Sequence, residues 1–127
     1  MKKRINNSLV IGILFGFLFQ VASVVQAGNA SPEETLATML RLAQAGDWES
    51  YVDKYYGEQH KFRSPSDRDK LVSRYKKKWG SRVIAGLKEA SGVKPKISRD
   101  GTRAVFQLKK GAFILYKNKQ GNWTYHL

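Results

Sequence analysis

The feature that most constrains this chain is a change of hydrophobic period near Gly92. Before it, apolar residues recur every three or four positions. After it, they alternate. A period of about 3.6 belongs to helices packed through one face, and a period of 2 to strands half-buried on a sheet. Helices come first and strands last, with no alternation between them. That segregation predicts an α+β fold, with N-terminal helices packed on one face of a curved antiparallel β-meander.

The local signals agree with this reading. Ser31-Pro32-Glu33-Glu34 offers an N-cap serine, a proline at the first helical position and a glutamate that can reach back to the cap. Leu36, Met39, Leu40 and Ala43 then share one helical face, and Gly46 suits the left-handed residue that ends a helix. Asp47 caps a second helix carrying Trp48, Tyr51, Val52 and Tyr55, which stops near Gly57. A third begins at Ser64-Pro65 with Leu71, Val72, Tyr75 and Trp79 on one face. Gly80-Ser81 is expected to break it, with one or two further turns through Val83, Ile84 and Leu87.

Beyond Gly92, Val93–Ser98 reads as an edge strand because of Pro95. Asp100-Gly101 is a hairpin signal. Ala104, Phe106 and Leu108 are expected to face the helices, opposite Arg103, Val105, Gln107 and Lys109. Lys110-Gly111 turns into a strand over Ala112–Lys117, and Trp123–Leu127 is expected to close the sheet.

The chain opens with Met1-Lys2-Lys3-Arg4, an uncharged run from Leu9 to Phe19, and Val25-Gln26-Ala27, with small residues three and one before a cut. This is the layout of a secretory signal over residues 1–27, followed by a single domain over 28–127. The run is too short for the roughly 20 apolar residues of a spanning helix. An uncleaved anchor, extended through Ala22-Ser23-Val24-Val25, is the alternative. The protein is therefore read as exported, periplasmic or secreted, with no spanning segment after cleavage. The chain has no cysteine, so neither a lipid-modified cysteine nor a disulfide can serve it, and burial of apolar surface must hold the domain. Twelve of the 15 aromatic residues lie in the mature part.

Past Ala27 there are 20 Lys and Arg against ten acidic residues, a net +10. Such a surface attracts polyanions. Outside the cytoplasm these are lipid headgroups, cell-wall polymers, acidic polysaccharides and acidic proteins, and nucleic acid is not an expected partner. Nine basic residues fall between Lys61 and Arg82, against Asp67 and Asp69. On a helix, Lys70, Arg74 and Lys77 point away from the face made by Leu71, Tyr75 and Trp79, and with Lys78 they are read as a basic ridge. A solvated face and an anion-contacting surface both fit that pattern.

Trp48, Tyr51, Tyr55, Tyr75, Trp79 and Trp123 allow two readings, a filled core or the walls of a pocket. His60 and His126 are not spaced as metal ligands, and no metal or cofactor is expected. Glu33 and Glu34 belong to a helix start, Asp47 to a cap and Asp100 to a turn. Asp53 falls off the apolar stripe of its helix. No Ser-His-Asp order with nucleophile context and no Gly-rich phosphate loop occurs, so no catalytic residue is assigned.

Taken in order, Ser31-Pro32-Glu33-Glu34, Ala45-Gly46-Asp47-Trp48 and Gly121-Asn122-Trp123-Thr124-Tyr125 resemble the nuclear transport factor 2-like superfamily, a cystatin-like α+β cone. The likeness is to its short exported bacterial members, similar to the lumazine-binding-like families. The resemblance implies helices joined at a sharp Gly-Asp corner, wrapping a curved antiparallel sheet closed by a Gly-x-Trp strand. It also implies, as an alternative function, a small pocket-containing enzyme of the ketosteroid isomerase type. The pocket carboxylate or histidine–aspartate pair of such enzymes maps onto no residue here. The leading expectation is a small exported basic domain that binds an acidic protein or an anionic envelope polymer. Members of that superfamily often pair through the outer sheet face. Arg103 and Lys109 there would repel a second copy, so a monomer or hetero-complex is expected over a homodimer.

Cleavage after Ala27 makes Gly28 the first residue of the mature protein. N-terminal sequencing of the envelope or medium fraction should read Gly28-Asn29-Ala30, whereas intact Met1 in the membrane fraction would make the chain a tethered domain.

Overall fold

The computed structural model describes residues 30–127; the signal segment assigned to 1–27 lies outside the described residues. The domain is α+β, and its helices precede the sheet. Helix α1 spans Pro32–Gln44 and starts as its sequence dictates. The Glu34 N–H donates to Ser31 Oγ at 3.0 Å and the Ser31 N–H to Glu34 Oε1 at 2.8 Å, closing the capping box. Leu36, Met39 and Ala43 are buried along one stripe. Gly46, at φ 75°, turns the chain through the left-handed region. Asp47 then caps α2 (Trp48–Tyr55) by accepting from the Ser50 N–H at 3.2 Å.

A short 3₁₀ turn at Gln59–Lys61 leads to α3, Pro65–Arg74. Here the structure departs from expectation. Gly80-Ser81 does not break the helix: a π-helical turn, Tyr75–Trp79, runs directly into α4, Gly80–Ser91. The reason is packing rather than propensity. A Cβ on Gly80 would sit 2.8 Å from the Tyr75 carbonyl oxygen and 3.1 Å from Trp48 Cζ2. Glycine stands here because backbone and indole approach too closely for a side chain, and the widened turn lets the helix absorb one extra residue.

The sheet is an antiparallel meander in the order β1-β2-β3-β4. Strands β2 (Arg103–Gln107) and β3 (Ala112–Lys117) form its body, with Ala104 opposite Leu115 and Phe106 opposite Phe113. Ala104, Phe106 and Leu115 are buried against the helices, and Leu108 is half-buried at the strand's end. The two outer strands are shorter than expected. β1 is only Lys96–Ile97. The N–H groups of Gly92 and Val93 still close α4, on Glu89 O and Ala90 O, and Pro95 has no N–H to donate. β4 is only Trp123–Thr124. Tyr125 then leaves the sheet and bridges to Tyr56. Its N–H donates to Tyr55 O, and its carbonyl accepts from the Gly57 N–H, each at 2.8 Å. The end of the described chain is thus laced to the end of α2, and the helical layer and the sheet share a hydrogen-bonded seam.

Two glycines of α4 separate these effects. Gly86 has open space where a Cβ would stand. Gly86→Ala should therefore raise stability by about 1 kcal/mol through helix propensity. Gly80→Ala gains the same propensity but overpacks against Trp48 and the Tyr75 carbonyl. It should lower stability by about 1–2 kcal/mol net, within the usual range for overpacking. Urea unfolding of both variants checks the opposite signs.

Candidate anion-binding surface and cleft

Tyr75 lies at the centre of the core. Its ring stacks on Trp48 with centroids 4.9 Å apart and planes 6° from parallel. Tyr51 meets it edge-on at 5.3 Å, and Trp79 at 5.4 Å. The Tyr75 hydroxyl donates to the Tyr125 hydroxyl at 2.9 Å. Trp48, Tyr51 and Tyr75 are buried, filling one another's contact space, so the six aromatics do not line one pocket. Trp79 is half-buried beside Tyr75, and the Arg74 guanidinium lies 5.9 Å from a Trp79 ring centroid. Tyr55 and Trp123 alone reach a cleft, described below.

All four residues of the basic ridge are exposed, but they do not act as one row. Lys70 and Arg74 come together, with Lys61 and one carboxylate, Asp67, at a groove of about 290 Å³ whose apolar lining is Tyr56, Phe62, Leu71 and Leu127. Lys77 and Lys78 ride on the π-helical turn and do not line that groove. Three of their basic neighbours, Lys61, Arg68 and Lys76, are neutralised. Arg68 grips Asp53 with two hydrogen bonds, at 2.9 and 2.8 Å, and Asp69 with a third at 2.9 Å. The hydrogen bonds from Arg68 hold the Asp53 carboxyl below its usual range. Lys76 reaches Glu49 at 3.5 Å, and Lys61 pairs with Glu58 at 2.6 Å. Among the described residues, Lys70, Arg74, Lys77 and Lys78 have no ion-pair partner. Asp53, read from its helical position as solvated, is exposed but engaged across two helices.

A larger cleft, of about 640 Å³, opens between α1, the end of α2 and the β3–β4 turn. Tyr55 and Trp123 form part of its wall. Thr35, Thr38, Arg41, Lys54, Asn118 and Asn122 supply polar groups, and Glu34 one carboxylate. Sequence reasoning missed every polar member. Glu34, Thr38 and Arg41 do stand at helical spacing on α1, which is the signal that was there. Nothing in the sequence tells that Lys54 and the asparagines of a distant turn meet that face.

His60 lies on the 3₁₀ turn. His126 stacks on Tyr116, with centroids 4.0 Å apart and planes 4° from parallel. Among the described residues no helix is long and apolar enough to cross a membrane. No protein-family model, curated protein or solved structure matches this chain.

The buried phenols make an alkaline test of the filled core. Burial pushes the Tyr75 phenol up to about 12, and raises those of Tyr51 and Tyr125 further. The unfolded chain, with phenols near 10, therefore loses these protons first. Their contribution to stability is complete below pH 10 and is lost as the pH climbs through the folded values. Tyrosinate absorbance for these three residues should appear only with loss of secondary structure. Their ionisation in a folded protein near pH 10 would mean that solvent reaches the cluster.

Proposed function

We propose that this protein is an exported basic binding domain that contacts an anionic envelope component, an acidic polymer or an acidic protein, through the α3 face and the adjoining π-helical turn. The reading rests on one observation. Lys70, Arg74, Lys77 and Lys78 stay without carboxylate partners on the same helical run where Arg68 and Lys76 have theirs. Like charges gathered along one helical run repel one another and do nothing for folding, but they raise the local concentration of an anion and speed its encounter. The groove beside Lys70 and Arg74 adds apolar surface to that charge. The isomerase-type alternative needs an acid or imidazole free in an enclosed pocket. Glu34, the acid on the wall of the large cleft, is exposed and accepts from the Ser31 N–H through Oε1.

The test compares two quadruple variants of equal charge. One changes Lys70, Arg74, Lys77 and Lys78 to Gln. The other changes Lys96, Lys109, Lys110 and Lys119, all exposed elsewhere on the domain, to Gln. Both should keep the parent's thermal midpoint within a few degrees, since exposed charges change stability by only about 0.5 kcal/mol each. Binding to immobilised acidic polysaccharide and to anionic vesicles is then measured at about 0.01 and 0.15 M salt, where the Debye length falls from roughly 30 to 8 Å. The first variant should lose at least about tenfold in affinity and the second much less. Equal losses would reduce the ridge to bulk charge.

A further inference from the structure

The cleft between α1, α2 and the β3–β4 turn has an unbalanced hydrogen-bonding inventory. Thr35 and Trp123, on its wall, are only 5% and 6% exposed. The Thr35 hydroxyl and the Trp123 indole N–H have no hydrogen-bond partner among the described residues. This contrasts with Thr38, whose hydroxyl donates to Glu34 O at 3.2 Å, and with Thr124, which donates to Tyr116 O at 3.1 Å. Buried polar groups in folded proteins are nearly always paired, so two such groups on one open cleft mark where water or a ligand can bind.

The rest of the wall indicates what that partner offers. Arg41 and Lys54 bring positive charge and form no ion pair among the described residues. Asn118 Oδ1 already accepts from the Gln120 and Asn122 N–H groups, at 3.0 and 2.9 Å. Its remaining capacity is the donor NH₂. The one carboxylate, on Glu34, accepts from the Ser31 N–H through Oε1 and keeps Oε2 free among the described residues. The cleft therefore offers both donors and acceptors, with two cations against one carboxylate. Its volume of about 640 Å³ suits a small organic ligand, and Tyr55 and Trp123 add ring surface to the wall. A ligand that matches is anionic and ring-shaped, and carries hydroxyl groups that both donate and accept.

We propose that this cleft binds a carboxylate-bearing sugar, a hexuronate either free or as a unit of an acidic polysaccharide. Arg41 and Lys54 meet the carboxylate. Thr35, Asn118, Asn122 and the Trp123 indole N–H meet hydroxyl and ring oxygens, and the apolar sugar face lies against Tyr55. The site is separate from the α3 ridge and does not depend on it.

The test is an NMR titration of the ¹⁵N-labelled protein with glucuronate, a short oligouronate, glucose and inorganic phosphate. The Trp123 indole N–H is the reporter, assigned by its loss in Trp123→Phe. Glucuronate should shift that resonance saturably, and glucose should bind at least about tenfold more weakly, as loss of charge-assisted hydrogen bonds implies. Tighter binding of the oligouronate than of the monomer would place the ligand in a polymer, and equal binding would make it the free sugar. Arg41→Gln and Lys54→Gln, at exposed positions, should each weaken glucuronate about tenfold while leaving the fold intact. The ridge variant should bind glucuronate within about twofold of the parent, which separates failure of this site from failure of the ridge. An unmoved indole resonance, equal response to glucose, equal binding by phosphate, or parental affinity in both cleft variants would each overturn the proposal.

Discussion

The contact on which the rest of the structure depends is the stack of Trp48 on Tyr75. It joins α2 to the helical run that starts at Pro65, and it sits where that run widens into a π-helical turn. From Tyr75 the packing spreads to Tyr51 and Trp79 by edge contacts, and to Tyr125 by the hydroxyl–hydroxyl hydrogen bond. Tyr125 in turn carries the end of the sheet to the end of α2. A chain with no cysteine must hold a small domain together by burial alone. Aromatic rings supply that burial with directional contacts, which fix how the helices cross as well as that they touch.

This arrangement separates stability from recognition. The core consumes Trp48, Tyr51 and Tyr75, and leaves little aromatic surface for a ligand in the interior. The charge lies outside. Part of it is neutralised by bridges that also join elements, as Arg68 does between α3 and Asp53 of α2. Of the cations unpaired among the described residues, Lys70, Arg74, Lys77 and Lys78 lie on the α3 face and the π-helical turn, and others, such as Lys96, Lys109 and Lys110, lie around the sheet. The cleft wall carries two more cations. A strongly positive surface works against compactness through self-repulsion, and an anionic partner would relieve that repulsion where it binds.

Much of the fold was legible because it is written in local chemistry. Ser31, Gly46 and Asp47 act at caps and joints through their own side chains or backbone freedom, and β3 falls where its alternation and flanking turns place it. The misreadings share one physical cause: tertiary contacts overrode local signals. Gly80 looks like a breaker, but it is the residue that lets an indole reach the backbone. Val93 looks like the start of a strand, but its N–H completes a helix. Tyr125 alternates like a strand residue, yet it pairs with α2. Of the candidate site residues, the exposure of Lys70, Arg74 and Lys77 followed from helical periodicity, whereas Lys78, three residues after buried Tyr75, is exposed on the π-helical turn. The cleft did not, because its wall is assembled from three segments that meet only in the folded protein.

The central claim is that the aromatic stack makes helices and sheet one cooperative body. Native-state amide hydrogen exchange at increasing urea measures it most directly. The amides of Val52 in α2, Phe106 in β2, Leu115 in β3 and Tyr125 should converge on a single opening free energy, equal to that of global unfolding. Earlier opening of Phe106, Leu115 and Tyr125 as a group, with Val52 still protected, would show that the sheet unfolds on its own and would contradict the account.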